Sequence, residues 1–340
     1  MAVRLDELAV PVIGAPMAGG ASTPELAAAV NRAGGLGFLA AGYKSATGMA
    51  EQIAAVRKST DRPYGVNLFV PAPPADPAVV AAYRERLRPE AERWGVALPE
   101  EIGPDRDDWE DKLAVLLADP VPVVSYTFGL PTAEESAVLR AAGTLQVGTV
   151  TTPEEARAAQ AVGMDALCVQ GPEAGGHRGT HRAADAPGEL PLLELLAVVR
   201  EVTPLPLVAA GGLGDGAAIA AALRAGAVAV QLGTALLRSD ESGASAAHRA
   251  ALTELPETVV TRAFTGRPAR GLRNAFIDRH GPYAPPAYPE VHHLTAPLRA
   301  AAGRRGDTTA MHLWAGTAHR LARTGPADEI VTQLWRSARG

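Results

Sequence analysis

The run Gln170-Gly171-Pro172-Glu173-Ala174-Gly175-Gly176-His177-Arg178-Gly179 places a histidine on backbone with little side-chain bulk. An imidazole titrates near neutrality and glycine lets a ligand approach the main chain, so His177 is the first candidate for proton transfer. A histidine that only fixes its loop by hydrogen bonding is the alternative. Two further glycine-rich segments follow, Ala210-Gly211-Gly212-Leu213-Gly214-Asp215-Gly216 and Gln231-Leu232-Gly233-Thr234. Bare glycine N–H groups suit phosphate oxygens, and a helix over Ala217–Arg224 would add its N-terminal dipole. Either segment alone also reads as an ordinary turn. Upstream, Gly14-Ala15-Pro16-Met17-Ala18-Gly19-Gly20 can bring backbone groups against a planar ring. Asn67, in Gly65-Val66-Asn67-Leu68, offers an amide to the polar edge of such a ring.

The elements that must position these residues alternate regularly. Short apolar runs are followed by Gly or Pro and then by Ala-rich stretches of helical period, which implies parallel strands joined by helices. Strands are expected at Val10–Ala15, Leu36–Ala40, Tyr64–Val70, Val121–Tyr126, Leu145–Val150, Ala166–Val169, Leu205–Ala209 and Ala227–Leu232. Eight such units close a (β/α)₈ TIM barrel, an α/β fold whose ligands sit at the C-terminal strand ends and whose phosphate sites favour the last two loops. Both glycine-rich segments fall there. Helix starts are marked at Ser22-Thr23-Pro24-Glu25 and Thr151-Thr152-Pro153-Glu154.

Two regions break the rhythm. Residues 71–120 read as an insertion after the third strand, with helices at Ala78–Trp94 and Trp109–Leu117. Residues 239–310 read as a smaller capping segment over the mouth of the barrel, itself residues 1–238. Residues 311–340 read as C-terminal helices packing on the barrel, with helical patterns at Thr309–Ala322 and Ala327–Ala338.

With 340 residues, 47% hydrophobic and 20% charged, the chain can fill a barrel and enclose a ligand. The net charge of −5 and scattered basic residues argue against nucleic acid, and the first ten residues hold no long apolar run, so a cytoplasmic protein without membrane attachment is expected. The single cysteine, Cys168, lies in an apolar run and reads as a packed small hydrophobe. His292-His293 and His280 lack a ligand spacing and read as a solvated loop, so no metal is expected. His177-Arg178 and His181-Arg182 either make a positive mouth or a solvated surface.

Five runs, Ala15-Pro16-Met17-Ala18-Gly19-Gly20, Gly65-Val66-Asn67-Leu68-Phe69, Glu173-Ala174-Gly175-Gly176-His177-Arg178-Gly179, Ala209-Ala210-Gly211-Gly212-Leu213 and Gln231-Leu232-Gly233-Thr234, resemble those of the nitronate monooxygenases, formerly 2-nitropropane dioxygenases. The likeness extends over nearly the whole chain. It implies an FMN enzyme that oxidises alkyl nitronates, such as propionate 3-nitronate, or nitroalkanes with O₂ to carbonyl compounds and nitrite. By motif, His177 would be the catalytic base or substrate-binding group. Met17, Asn67, Gln170, Gly175, Gly176, Gly212, Gln231, Gly233 and Thr234 would hold the flavin.

FMN-dependent enoyl-acyl-carrier-protein reductases share a similar histidine run and supply the alternative activity; a flavin-binding protein with a diverged pocket is the third. Leu294-Thr295-Ala296-Pro297-Leu298-Arg299 and Leu313-Trp314-Ala315-Gly316 favour the monooxygenases. Gly316-Thr317-Ala318 departs from the family pattern, and the only lysines are Lys44, Lys58 and Lys112, so substrate identity is left open. A homodimer is admitted but not specified.

Overall fold

The computed structural model describes residues 3–340. Parallel strands β1 (Val12–Gly14), β2 (Phe38–Ala40), β3 (Gly65–Phe69), β4 (Val123–Thr127), β5 (Leu145–Val150) and β6 (Ala166–Gln170) are followed by a two-residue strand, β7 (Gly176–His177), and then by β8 (Leu207–Ala210) and β9 (Ala229–Leu232). Without β7 they form one sheet in the order β1-β9-β8-β6-β5-β4-β3-β2. Leu36 closes it: this residue bridges Ile13 in parallel, accepts from Gly14 N at 2.9 Å and donates to Val12 O at 3.0 Å. The result is the expected (β/α)₈ barrel, each strand within two residues of its expected bounds.

Alternation of side chains builds two layers. Ile13, Phe38, Val123, Val147, Ala166, Cys168, Val208 and Ala229 fill the interior. Their neighbours Val12, Leu39, Val124, Leu167 and Val230 face the helices. Gly65 makes room for this filling, because a Cβ there would lie 2.2 Å from the Phe38 ring.

The helices between the strands start where the capping residues predict. Thr23 Oγ1 accepts from Leu26 N at 3.0 Å at the start of α1 (Pro24–Arg32). After α2 (Ala46–Ser59), the insertion supplies α3 (Pro77–Trp94) and α4 (Trp109–Ala118), both as expected. Then come α5 (Ala133–Ala141), α6 (Pro153–Ala161), α7 (Leu192–Arg200) and α8 (Gly216–Arg224).

Beyond the barrel lie α9 (Ala246–Glu254), β10 (Thr258–Thr261), β11 (Ala269–Leu272), α10 (Ala275–His280), α11 (Glu290–Arg305) and α12 (Ala327–Arg339). Strands β10 and β11 form an antiparallel sheet whose third member is β7, with Ala269 opposite His177. A second core joins Phe264, Phe276, Leu294 and Leu298 to Tyr83, Leu87 and Trp94 of α3, so the insertion and the segment after the barrel share one apolar cluster. The helix α12 packs on α8 and α1.

Residues 309–322 are not the helix that the sequence pattern predicts. They run irregularly to a 3₁₀ turn at His319–Leu321, with Trp314 bridged to Gly271. Leu313 O accepts from Leu272 N at 2.8 Å and Ala315 N donates to Arg270 O at 3.2 Å, so the backbone there pairs with β11 instead of with itself. Burial of Leu313 and Ala315 on either side of the half-exposed Trp314 is a period of two, which suits an extended ribbon.

Candidate functional site

All ten residues singled out above line one cavity of about 450 Å³ at the C-terminal ends of the strands. Met17 sits in the loop after β1, which folds back through Met17 N donating to Ser22 Oγ at 2.8 Å. On β3, Asn67 Nδ2 donates to Ser125 Oγ at 2.9 Å and Thr127 Oγ1 at 3.0 Å, so β4 fixes the amide plane. Gln170, the last residue of β6, spans the histidine loop: Nε2 donates to His177 O at 3.0 Å and Oε1 accepts from Gly179 N at 2.8 Å. Gly175 lies against the C-terminal ribbon, and Thr234 Oγ1 accepts from Gly316 N at 2.9 Å.

Gly212 follows β8, while Gln231 lies in β9 and Gly233 and Thr234 follow it. Among the hydrogen bonds of the described residues, the N–H groups of Gly212, Gly233 and Thr234 take no protein acceptor. Free N–H groups on bare backbone fit a phosphate. The dipole of α8 adds less than the sequence suggests, because the Asp215 carboxylate already caps that helix by accepting from Ala218 N at 2.8 Å.

His177 Nε2 lies 2.9 Å from Thr265 Oγ1. Its ring meets Phe128 edge to face at 5.5 Å and Trp314 at 5.4 Å. Burial, reinforced by the Arg267 and Arg299 guanidiniums, pushes its pKa down to about 3, so the imidazole is neutral at pH 7. Arg267 is fully buried, with its Cζ 4.1 Å from the centre of the Phe128 ring.

The other half of the wall is not assigned to the site by the sequence, although His292 is weighed there as a metal ligand and the runs holding Arg299 and Trp314 carry part of the family resemblance. Tyr43, Thr265, His292, Arg299, His312 and Trp314 all line the cavity. Residues 292, 295 and 299 have the i, i+3, i+7 spacing of one helix face, a signal that could have found His292 and Arg299 but not the other four. His292 and His293 lie on α11, not on the solvated loop expected. His292 stacks on Tyr43 with centroids 4.1 Å apart, and burial with Arg299 pushes its pKa down to about 2. His293 points elsewhere and meets Asp105 Oδ2 at 2.7 Å.

The positive mouth is corrected in part. Arg178 is buried and donates to the carbonyl oxygens of Gln170 and Gly171, so it props the loop, whereas Arg182 is exposed and pairs with Asp185 at 2.9 Å. Cys168 reaches the cavity wall as a thiol whose burial pushes its pKa up to about 12. Among the described residues, no group of three or more His, Cys, Asp or Glu is placed to hold a metal, and no helix is long and apolar enough to cross a membrane.

Comparison with known proteins bears on this site. The family model described as nitronate monooxygenase matches residues 3–337. A probable nitronate monooxygenase of Staphylococcus saprophyticus is 38% identical over 336 residues, covering 96% of this chain and 94% of the relative. The solved nitroalkane oxidase of Streptomyces ansochromogenes superposes with a TM-score of 0.95 at 54% identity, covering 98% of this chain and 97% of that one. FabK from Thermotoga maritima superposes with a TM-score of 0.71 at 27% identity, covering 99% and 96%.

Proposed function

The chain belongs to the nitronate monooxygenase family, an oxidoreductase family that is flavin-dependent in general, and from that premise we propose an FMN enzyme that oxidises alkyl nitronates with O₂ to carbonyl compounds and nitrite. The observation that carries the reading is a neutral His177 in a cavity with unsatisfied glycine N–H groups after β8 and β9. In this reading Gly212, Gly233 and Thr234 hold the phosphate, while Met17, Asn67, Gln170, Gly175, Gly176 and Gln231 shape the bed for the ring. When bound, FMN supplies the electron acceptor for the nitronate and the route to oxygen.

The chain's own residues bind, orient and exclude water. The division of labour proposed is a barrel of residues 1–238 that carries the flavin, a capping segment of residues 239–310 that closes the substrate side, and residues 311–340 packed on the barrel. Phe69 and Phe128, backed by Tyr288, turn an apolar face to the cavity, and in this reading they keep water from the reacting carbon. His177, held through Thr265 and by the Gln170 bridge to its carbonyl, keeps a neutral imidazole at the cavity face.

A pKa of about 3 lies about four units below pH 7, so making the imidazolium costs about 5 kcal/mol. A nitronate has already lost its α-proton and asks only for positioning. A neutral nitroalkane asks His177 to take that proton. Nitronates are therefore the better substrates in this reading, and nitroalkanes enter through the same anion.

The test is a visible spectrum of the purified protein followed by anaerobic mixing. A flavin spectrum that bleaches with ethyl nitronate and only slowly with NADH agrees with the reading. Fast bleaching by NADH coupled to enoyl-thioester turnover would replace it with the reductase activity.

A further inference from the structure

Among the described residues lining the cavity there is no aspartate, glutamate or lysine, and Arg299 is the one side chain with a permanent charge. Its partners are all neutral: Nε donates to Thr295 Oγ1 at 3.1 Å, and Nη2 donates to His292 O at 2.7 Å and lies 3.3 Å from His292 Nδ1. These bonds lock the guanidinium plane against α11. Nη1 has no protein partner and is not among the polar atoms sealed from the cavity.

A second guanidinium stands behind this face. Arg267 donates to Thr180 O at 2.7 Å, but its Nε and Nη2 have no partner and it has no carboxylate. Both cations bear on His177, and Arg299 also feels Tyr43 and Tyr288. Buried charge without a counter-charge is unfavourable, and an incoming anion relieves it. This side of the mouth is built from Tyr43, Phe69, Phe128 and Tyr288 at the ends of β2 to β4 and on the capping segment, and β3 lies across the barrel from β8. The cationic face is thus separate from the free N–H groups after β8 and β9.

We infer that Arg299 is the seat for the anionic end of the substrate, a planar two-oxygen anion, nitronate or carboxylate, received on the open Nη1 side of its guanidinium. A guanidinium fork matches such a group in shape as well as charge. The identity of the anion rests on the nitronate reading; the anion site itself does not.

Arg299→Met and Arg299→Lys in the full-length flavoprotein test it. With ethyl nitronate, which carries one anion, and propionate 3-nitronate, which carries two, Arg299→Met should retain flavin and raise KM about 10- to 100-fold, with kcat changing less. Arg299→Lys should recover part of the loss as a point charge. Equal rises on both substrates seat the nitronate group at Arg299, and a rise confined to the second seats its carboxylate; either supports the inference. Calorimetric titration with propionate gives a readout that needs no turnover, and binding should weaken by a similar factor in Arg299→Met. Unchanged KM and propionate affinity, or a variant purified without flavin, would overturn the assignment. A wild-type protein that binds propionate through Arg299 yet turns over no nitronate refutes the proposed function and leaves the anion seat standing.

Discussion

Gly175 and Gly176 are adjacent in sequence and opposite in what an added methyl group would meet. A Cβ on Gly175 would lie 2.4 Å from Gly316 N, 2.6 Å from Ala315 C and 2.9 Å from Ala315 Cα, all of them backbone. To reach ordinary contact at 3.4 Å the C-terminal ribbon must retreat by about 1 Å. Overpacking of this kind costs about 1–3 kcal/mol. The same retreat strains the Gly316 N bond to Thr234 Oγ1 at 2.9 Å and the Thr317 N bond to Glu173 O at 3.0 Å, adding about 1 kcal/mol. Gly175→Ala should therefore lower stability by about 2–4 kcal/mol. Gly176 has a φ of +77° and nothing within 4 Å of its Cβ position, so alanine there carries only a left-handed penalty of about 1–2 kcal/mol. Its methyl group, however, would stand at the cavity wall. Gly176→Ala should thus lose less stability than Gly175→Ala and bind FMN more weakly. Urea unfolding of both variants, with and without excess FMN, checks this. Equal stability for the two variants without FMN, or unaltered FMN affinity in Gly176→Ala, would refute the reasoning.

Other outcomes follow from the same geometry. His177→Asn should cut nitroethane turnover by about 10²- to 10⁴-fold, with a smaller loss on ethyl nitronate, and wild-type rates on both would reduce His177 to a loop-fixing residue. The flavin-free protein should lose stability as pH falls below 6.5, because His177 and His292, with folded pKa values of about 3 and about 2, stay neutral while the unfolded chain takes up protons. Their joint slope reaches about 2.7 kcal/mol per pH unit only well below pH 6.5, so together they remove about 4 kcal/mol between pH 7 and pH 5, and urea midpoints over that range should show His177→Asn with a shallower fall. Arg267→Met should raise the His177 pKa, since that guanidinium is the first charge that lowers it; a histidine ring titration by NMR that fails to move would contradict the attribution.

The sequence by itself determined the barrel and the half of the site that the barrel carries. Strand period, capping residues and glycine runs are local signals, and each strand end in a β/α barrel delivers the residues that follow it to the same mouth. That rule brought Met17, Asn67, Gln170, Gly175, Gly176, His177, Gly212, Gln231, Gly233 and Thr234 to one cavity without any long-range contact having to be known. The tertiary structure alone decided the rest. Thr265, His292, Arg299 and Trp314 reach the cavity because β11 pairs with β7 on one side and β10 on the other and because α3 of the insertion shares a core with α11, contacts between segments far apart in the chain. The same pairing turned residues 309–315 from an expected helix into a ribbon along β11. Nor could composition show that Arg178 is buried, that Asp215 caps α8, or that His177 is neutral. Those depend on which groups lie within a few ångströms once water is excluded, and only packing fixes that neighbourhood.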